Sequence, residues 1–306
     1  MVIPTLLLAI ILPFLGALIV VPLGRLSRRV QGHFAVAIAA TTFLLVTLIV
    51  PEVAQAGETK LYLPWTSILG PVLTFRVDSL SLIFALVASS FGLLSILYSV
   101  GDMSGKEGIG RYYALMLIFT GSMLGLFVSG NLLLLFYFWE MVGLCSYFLI
   151  GFGYSAESGR ASAKALLITS YAGAFLLLGI LVTYFLTGTL EISEVGLRLK
   201  DPMAVALVVS LFLLAAIAKS AQFPLHVWLP GATIAPSAVT AYLHAAAMVK
   251  AGVYLVARSY STFPAILPTV SYDFAIATIG VVTLTIGTMA AWVQHDVKRV
   301  LAFHTV

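Results

Sequence analysis

The stretch that decides how this chain is built is MAVALVVSLFLLAAIAKSAQFPLHVWLPG, residues 203–231. Residues 203–218 are apolar apart from Ser210, and then the run is interrupted at Lys219-Ser220-Ala221-Gln222-Phe223-Pro224. Pro224 removes one helical hydrogen bond and clashes with a carbonyl one turn earlier. Pro230-Gly231 ends what remains. The expectation is an apolar helix broken at Lys219–Pro224, followed by a short second piece. Broken helices at membrane depth are tolerated where they line a cavity or are buried in protein. In transporters they mark ion paths. Pro224 and His226 are therefore candidates for the helix break and for an entry to such a path.

Outward from this stretch, apolar runs long enough to cross ~30 Å of hydrocarbon fall near 3–23, 35–51, 78–100, 112–129, 131–152, 163–187, 203–221, 236–258 and 274–293. A tenth begins after Arg299 and stops at Val306. Of 306 residues, 61% are hydrophobic and 9% charged, and the mean hydropathy is +1.10. A soluble domain carries roughly a quarter charged residues. The fold class expected is an all-α polytopic membrane protein with about nine full spans, a truncated tenth and a broken seventh.

Several classes are excluded or weakened. The cations Arg25, Arg28 and Arg29 follow the first apolar run rather than precede it, so this run reads as a retained span and not a cleaved signal. A single cysteine, Cys145, permits no disulfide framework within the chain. The net charge is +4, but cations at loops set topology in any polytopic protein. No basic cluster sits in a polar domain, so the lipid bilayer is the expected partner and nucleic acid is not.

With the N-terminus outside, the inside loops hold nine cations: Arg25, Arg28, Arg29, Lys106, Arg111, Arg160, Lys164, Lys298 and Arg299. The outside loops hold five: Lys60, Arg76, Arg198, Lys200 and Arg258. The bias predicts a multi-pass protein of the cell membrane with its N-terminus outside. Lys60–Trp65 and Val72–Val77 partly alternate around a Leu69-Gly70-Pro71 turn signal, which predicts a small hairpin near 58–77.

Charges in mid-span cost about 2.5–3.5 kcal/mol even on the lenient insertion scale, so each invites its own explanation. Glu140 lies in the fifth run, Lys219 at the break in the seventh, and His244 and Lys250 in the eighth. Burial moves the titration of carboxylates and amines toward neutral pH. A lysine whose carboxylate neighbour approaches or withdraws can then load or release a proton, and histidine suits a relay between lysines. Plainer roles stand beside these. Glu140 and Lys219 could be a structural ion pair, Lys250 could snorkel, and His244 could bond a neighbouring helix. Asp78, at the start of the third run, reads as a helix cap. His295, Asp296, Lys298 and Arg299 read as a solvated loop.

Four segments carry a resemblance to a known family. They are Trp139-Glu140-Met141-Val142-Gly143-Leu144-Cys145-Ser146-Tyr147, the run Lys219–Pro230, the run Ala241–Leu255 and the run Asp296–Phe303. Together they resemble the antiporter-like subunits shared by respiratory complex I, Mrp-type multisubunit Na⁺/H⁺ antiporters and membrane-bound hydrogenase-like complexes. The surroundings of Glu140 are most similar to the longest subtype, placed at the distal end of the complex I membrane arm. The resemblance implies that Glu140 modulates a proton-carrying Lys219, and that His244 and Lys250 continue the path toward mid-membrane. It also implies departures. Gly231 stands where the family often has an acidic residue, Ala238 where it has a second proline, and His304 where it has a small hydroxyl residue.

Family members carry two inverted five-helix repeats. Here the resemblance implies leading helices over 1–111, one transport repeat over 112–258, and a ninth helix with the start of a tenth over 259–306. The second repeat is expected to be missing, and another membrane subunit is expected to cover the C-terminal end. The function implied is a proton-translocating or Na⁺/H⁺-coupled half-channel in a multisubunit complex. The alternative is a structural subunit that has lost transport with its second repeat. An independent solute transporter fits less well, because one broken helix has no partner repeat to rock against. No clustered cysteines, haem-like histidine pair or phosphate-cradling glycine loop is visible. No catalytic residue, metal or cofactor is therefore expected in this chain. If the parent complex is an oxidoreductase, its electron chemistry lies in other subunits.

Overall fold

The computed structural model describes residues 2–306 except 26, 64, 65, 68, 69, 72 and 246. It opens with α1 (Val2–Val20) and α2 (Arg28–Ala56). Ser27 caps α2, accepting a bond from the Arg29 amide at 3.2 Å. The helix therefore starts earlier than its apolar run, and Arg28 and Arg29 form its first turn.

A polar excursion follows. β1 (Glu58–Tyr62), β2 (Thr66–Ser67), β3 (Gly70–Pro71) and β4 (Thr74–Asp78) pair as two antiparallel ladders, β1 with β4 and β2 with β3. Glu58 faces Asp78 and Tyr62 faces Thr74. The hairpin thus lies where the alternation placed it, with Pro64, Trp65, Leu69 and Val72 outside the described residues. β4 runs straight into α3 (Ser79–Asp102), and the Asp78 carboxylate caps that helix by accepting from the Ser81 amide at 2.9 Å.

Next come α4 (Ile109–Phe127), α5 (Leu132–Ile150), α6 (Ala156–Thr187), the short α7 (Ile192–Arg198) and α8 (Pro202–Lys219). The chain closes with α9 (Ser237–Ala245), α10 (Met248–Thr262), α11 (Tyr272–Trp292) and α12 (Val297–Thr305). Among the described residues, nine segments are long and apolar enough to cross a membrane. The protein is an all-α multi-pass membrane protein. Arg160 and Lys164 lie within α6, which extends beyond its apolar run at the N-terminal side.

α4 is the central helix. Every residue from Phe119 to Phe127 is buried, and α1, α2, α3, α5 and α10 pack around it. Its glycines make that possible. A Cβ on Gly121 would stand 2.8 Å from the Phe14 ring, and one on Gly125 would stand 2.5 Å from Phe138. The Gly121/Gly125 spacing thus seats two rings from α1 and α5, the close approach that small residues permit in membranes. α11 is the opposite case. Phe274, Leu284, Met289 and Trp292 all face outward, and α11 packs chiefly on α12.

One interruption differs from the sequence reading. After α8 there is no second α-helical piece but two 3-10 turns, Leu225–Trp228 and Gly231–Ile234. The eighth apolar run forms one candidate span, Ser237–Thr262, in which two helical segments are described. These are α9 and α10, with the Ala247 amide reaching back five residues to the Tyr242 carbonyl at 3.1 Å.

Candidate functional site

Lys219 is the last residue of α8 and is 1% exposed. The helix stops there by its own backbone chemistry. The Gln222 amide bonds the Ile217 carbonyl at 2.8 Å, and the Ala221 amide bonds the Ala218 carbonyl at 3.2 Å. This is the bond pattern of a Schellman C-cap. The left-handed position is filled by Ala221 at φ 51° rather than by the usual glycine. Trp228 Nε1 also donates to the Ala218 carbonyl at 2.9 Å, and Gln222 Nε2 to the Ser220 carbonyl at 3.1 Å. The break is therefore satisfied locally, and Pro224 follows it rather than causing it.

The Lys219 ammonium crosses to α5. It donates to the Trp139 carbonyl at 2.8 Å and lies 5.0 Å from the centre of the Trp139 ring. A Cβ on Gly143 would stand 3.4 Å from Nζ and 3.9 Å from Thr169 Oγ1. Lys219 thus occupies a gap between α5 and α6. Glu140 is the next residue along α5, half-buried, and accepts from Ser170 Oγ of α6 at 3.4 Å. Its other oxygen, Oε1, is buried with no hydrogen-bond partner among the described residues. No ion pair within 4.0 Å joins Glu140 to Lys219 among those residues.

The remaining candidates lie further along the same seam. Ser220 Oγ donates to the Val249 carbonyl at 2.7 Å, which fixes the α8 break beside Lys250. Ser146 Oγ of α5 bonds Met248 Sδ at 3.1 Å. α5, α8 and α10 therefore meet where α10 begins. Lys250 is only partly buried. His244, on α9, is 7% exposed and its Nε2 is buried without a partner among the described residues. His226 stands in the first 3-10 turn with its ring 5.8 Å from that of Phe223, and its Nδ1 is likewise unpartnered. The Phe223 amide is held by Thr283 Oγ1 of α11 at 3.1 Å.

A second charged cluster was missed by sequence reasoning. Arg258, counted above among loop cations, lies inside α10 and is 4% exposed. Its NH1 and NH2 donate to the two Asp78 oxygens at 2.5 and 3.0 Å, and NH2 also donates to Ser81 Oγ at 2.8 Å. Burial alone would raise the Asp78 carboxyl, but the Arg258 bonds and charge outweigh it and hold the group well below the usual range. Nearby, Glu191 is 6% exposed and accepts from Thr74 Oγ1 at 2.6 Å and Asn131 Nδ2 at 3.2 Å. Burial pushes its pKa up, and those two bonds only partly offset this.

Among the described residues, no group of three His, Cys, Asp or Glu could hold a metal ion. The arrangement offers single protonatable groups with free lone pairs, spaced along a helix seam.

Comparison with known proteins bears on this seam. Residues 129–306 match the family described as NADH:quinone oxidoreductase/Mrp antiporter, TM. Residues 65–113 match the NADH-ubiquinone oxidoreductase (complex I) chain 5 N-terminus. The chain is 39% identical over 305 residues to a Na(+)/H(+) antiporter subunit of Alkalihalophilus pseudofirmus, covering 97% of this chain and 37% of that protein. It is 37% identical to NAD(P)H-quinone oxidoreductase chain 5 of Picosynechococcus sp., covering 97% of this chain and 42% of that one. The solved Mrp complex from Dietzia sp. contains a chain that superposes with a TM-score of 0.89 at 34% identity, covering 98% of this chain and 33% of that chain. This chain thus spans between a third and about two fifths of the length of these three relatives.

Proposed function

This chain belongs to the NADH:quinone oxidoreductase/Mrp antiporter family of membrane subunits, and we propose that it forms a proton-translocating half-channel within a multisubunit membrane complex. Lys219 carries the proton. Glu140 modulates it, His244 and Lys250 extend the route, and His226 stands at its entry. The observation that carries this reading is the bonding of Lys219. A fully buried ammonium bonded to a backbone carbonyl, with a carboxylate nearby but unpaired, is poorly arranged for stability. A structural ion pair repays desolvation only when its bonds are complete. The same arrangement suits a group that must gain and lose a proton. The carried ion is read as H⁺ because the seam offers single titratable groups rather than a cation cage.

Other membrane subunits are proposed as partners, one of them against the outward apolar faces of α11 and α12. The proposed repeat spans 112–258, preceded by leading helices over 1–111 and followed by 259–306. The N-terminus is proposed to face outside the cell membrane.

The test is Lys219→Ala in vesicles containing the full protein and its partner subunits. Proton movement is expected to fall at least about tenfold while the subunits still assemble, since general acid–base groups contribute ~10²–10⁴-fold elsewhere. Unchanged pumping in an assembled variant would instead favour a structural subunit.

A further inference from the structure

We propose that one face of α6, carrying Ser170 and Gly173, is a seat that holds the Glu140 carboxylate off the Lys219 ammonium. The proposal rests on the reading of Lys219 as the proton carrier and names the element that sets its distance from its modulator.

The need for a seat follows from the chain. Lys219 bonds the carbonyl of Trp139, the residue immediately before Glu140. Two opposite charges so close in a low-dielectric setting attract strongly, yet they do not pair. Three observations on α6 explain the separation. Ser170 Oγ donates to Glu140 Oε2. Glu140 Oε1 lies directly against the bare Cα of Gly173, where an added Cβ would overlap it. Trp139 Nε1 borders the same spot, 3.8 Å from that added Cβ, and is itself buried without a partner among the described residues. Gly173 is thus the position on this face where the absence of a side chain makes room for the carboxylate.

The adjacent residue separates the other charge. Thr169, 2% exposed, lies beside Gly143 and Lys219 and bonds its own helix at the Ala165 carbonyl, 2.9 Å away. Successive residues of α6, Thr169 and Ser170, thus border the gap that Lys219 enters beside Gly143 and the Glu140 carboxylate respectively.

The alternative place for the carboxylate is also visible. Glu140 borders an apolar groove of about 740 Å³ with Tyr137, Met141 and Leu144. Tyr137 and Leu144 face outward, whereas Lys219 faces inward. A side chain at position 173 would drive the carboxylate into that groove and away from the ammonium.

The experiment is the pH profile of proton transport in vesicles containing the full protein and its partner subunits. Gly173→Ala is expected to move the alkaline limb of the profile about one pH unit toward acid, the size of effect expected from a nearby opposite charge. Ser170→Ala, which removes the hydroxyl that tethers the carboxylate and leaves the room at Gly173 unchanged, is expected to move it by less and in the opposite sense, toward alkali, because the released carboxylate approaches the ammonium. Glu140→Asp supplies the background that separates positioning from packing. Its carboxylate is one methylene shorter and falls short of the seat, so Gly173→Ala should then add no movement. An unmoved limb in both single variants overturns the seat, and so does an equal movement in the Glu140→Asp background. Lys219→Ala, run alongside, separates the two levels. If it leaves transport unchanged, the carrier reading falls and the seat falls with it. If it abolishes transport while the limb stays fixed, only the seat falls.

Discussion

Two charged sites in this molecule use the same chemistry and are built in opposite ways. At one end of α3 and α10, Asp78 and Arg258 share two short bonds, and Ser81 and Tyr254 take further Arg258 N–H groups at 2.8–3.1 Å. Tyr254 in turn donates to the Phe127 carbonyl at 2.7 Å. Between α5, α6 and α8, Glu140 and Lys219 share no bond, and an oxygen of one and a ring nitrogen beside the other are unpaired among the described residues. An unpaired buried polar atom costs about 1–3 kcal/mol. The first site binds two distant helices together. The second gives up that stability and keeps its protonatable groups free. Burial of charge alone does not distinguish the two sites; completeness of bonding does.

The sharpest way to break this contrast is Arg258→Ala. Removing Arg258 leaves Asp78 with only Arg76 at 3.4 Å and the Ser81 amide as partners among the described residues, and the cost approaches that of breaking a buried pair, about 3–5 kcal/mol. The expected outcome is a chain that no longer accumulates folded, or melts at far lower temperature in detergent. Lys219→Met, which keeps the buried volume, is expected to change the melt by no more than about 1 kcal/mol, because it strands no charge in a bonded pair and opens no cavity. Equal destabilisation by the two substitutions would show that both clusters are structural.

The pH dependence of stability sharpens the contrast at the polar end. The Asp78 carboxyl is held below its ordinary range, so its contribution is complete above the ordinary aspartate range and is lost as pH falls below it. Glu191 has the opposite sign. Its pKa is raised by burial, so the fold favours its neutral form, and that contribution is lost as pH rises through the raised value. Glu191→Gln keeps the Thr74 and Asn131 bonding positions and removes the charge. It is expected to stabilise the protein by about 1 kcal/mol near neutral pH, with no gain in acid. Melting curves taken across pH check both signs, and a gain that persists in acid would rule out the charge as its cause.

The sequence foretold one of these sites better than the other for physical reasons. Glu140, Lys219, His244 and Lys250 stand out because charge inside a 20-residue apolar run has no ordinary explanation. Asp78 was legible as a helix cap because its bond to Ser81 is local. Arg258 was not legible: it sits near the end of an apolar run, where an arginine reads as a loop cation, and its partner is 180 residues away in sequence. Glu191 and Thr74 are 117 residues apart and equally silent. The helix count followed from hydropathy. Ser170 and Gly173 are unremarkable in a helix until Glu140 is seen against them.

The smallest expected effect concerns the break that presents Lys219. Ala221 is buried and adopts φ 51° in the left-handed region, where a Cβ crowds the following carbonyl at about 1 kcal/mol. Glycine is the usual residue at this position of a Schellman cap. Ala221→Gly is therefore expected to raise stability by no more than about 0.5 kcal/mol, the strain relieved less the greater entropy of an unfolded glycine. The measurement is the melting temperature of the purified protein, with transport as the second readout. The comparison makes the two readouts informative together. A gain in stability with unchanged transport means that the alanine only tolerates strain that the cap demands. A gain with slower transport means that the strained turn helps Lys219 leave the Trp139 carbonyl, and it would extend the under-bonded character of the site from its side chains to its backbone. A loss of stability would show that the Ala221 methyl, fully enclosed beneath the turn, contributes more by packing than its conformation costs.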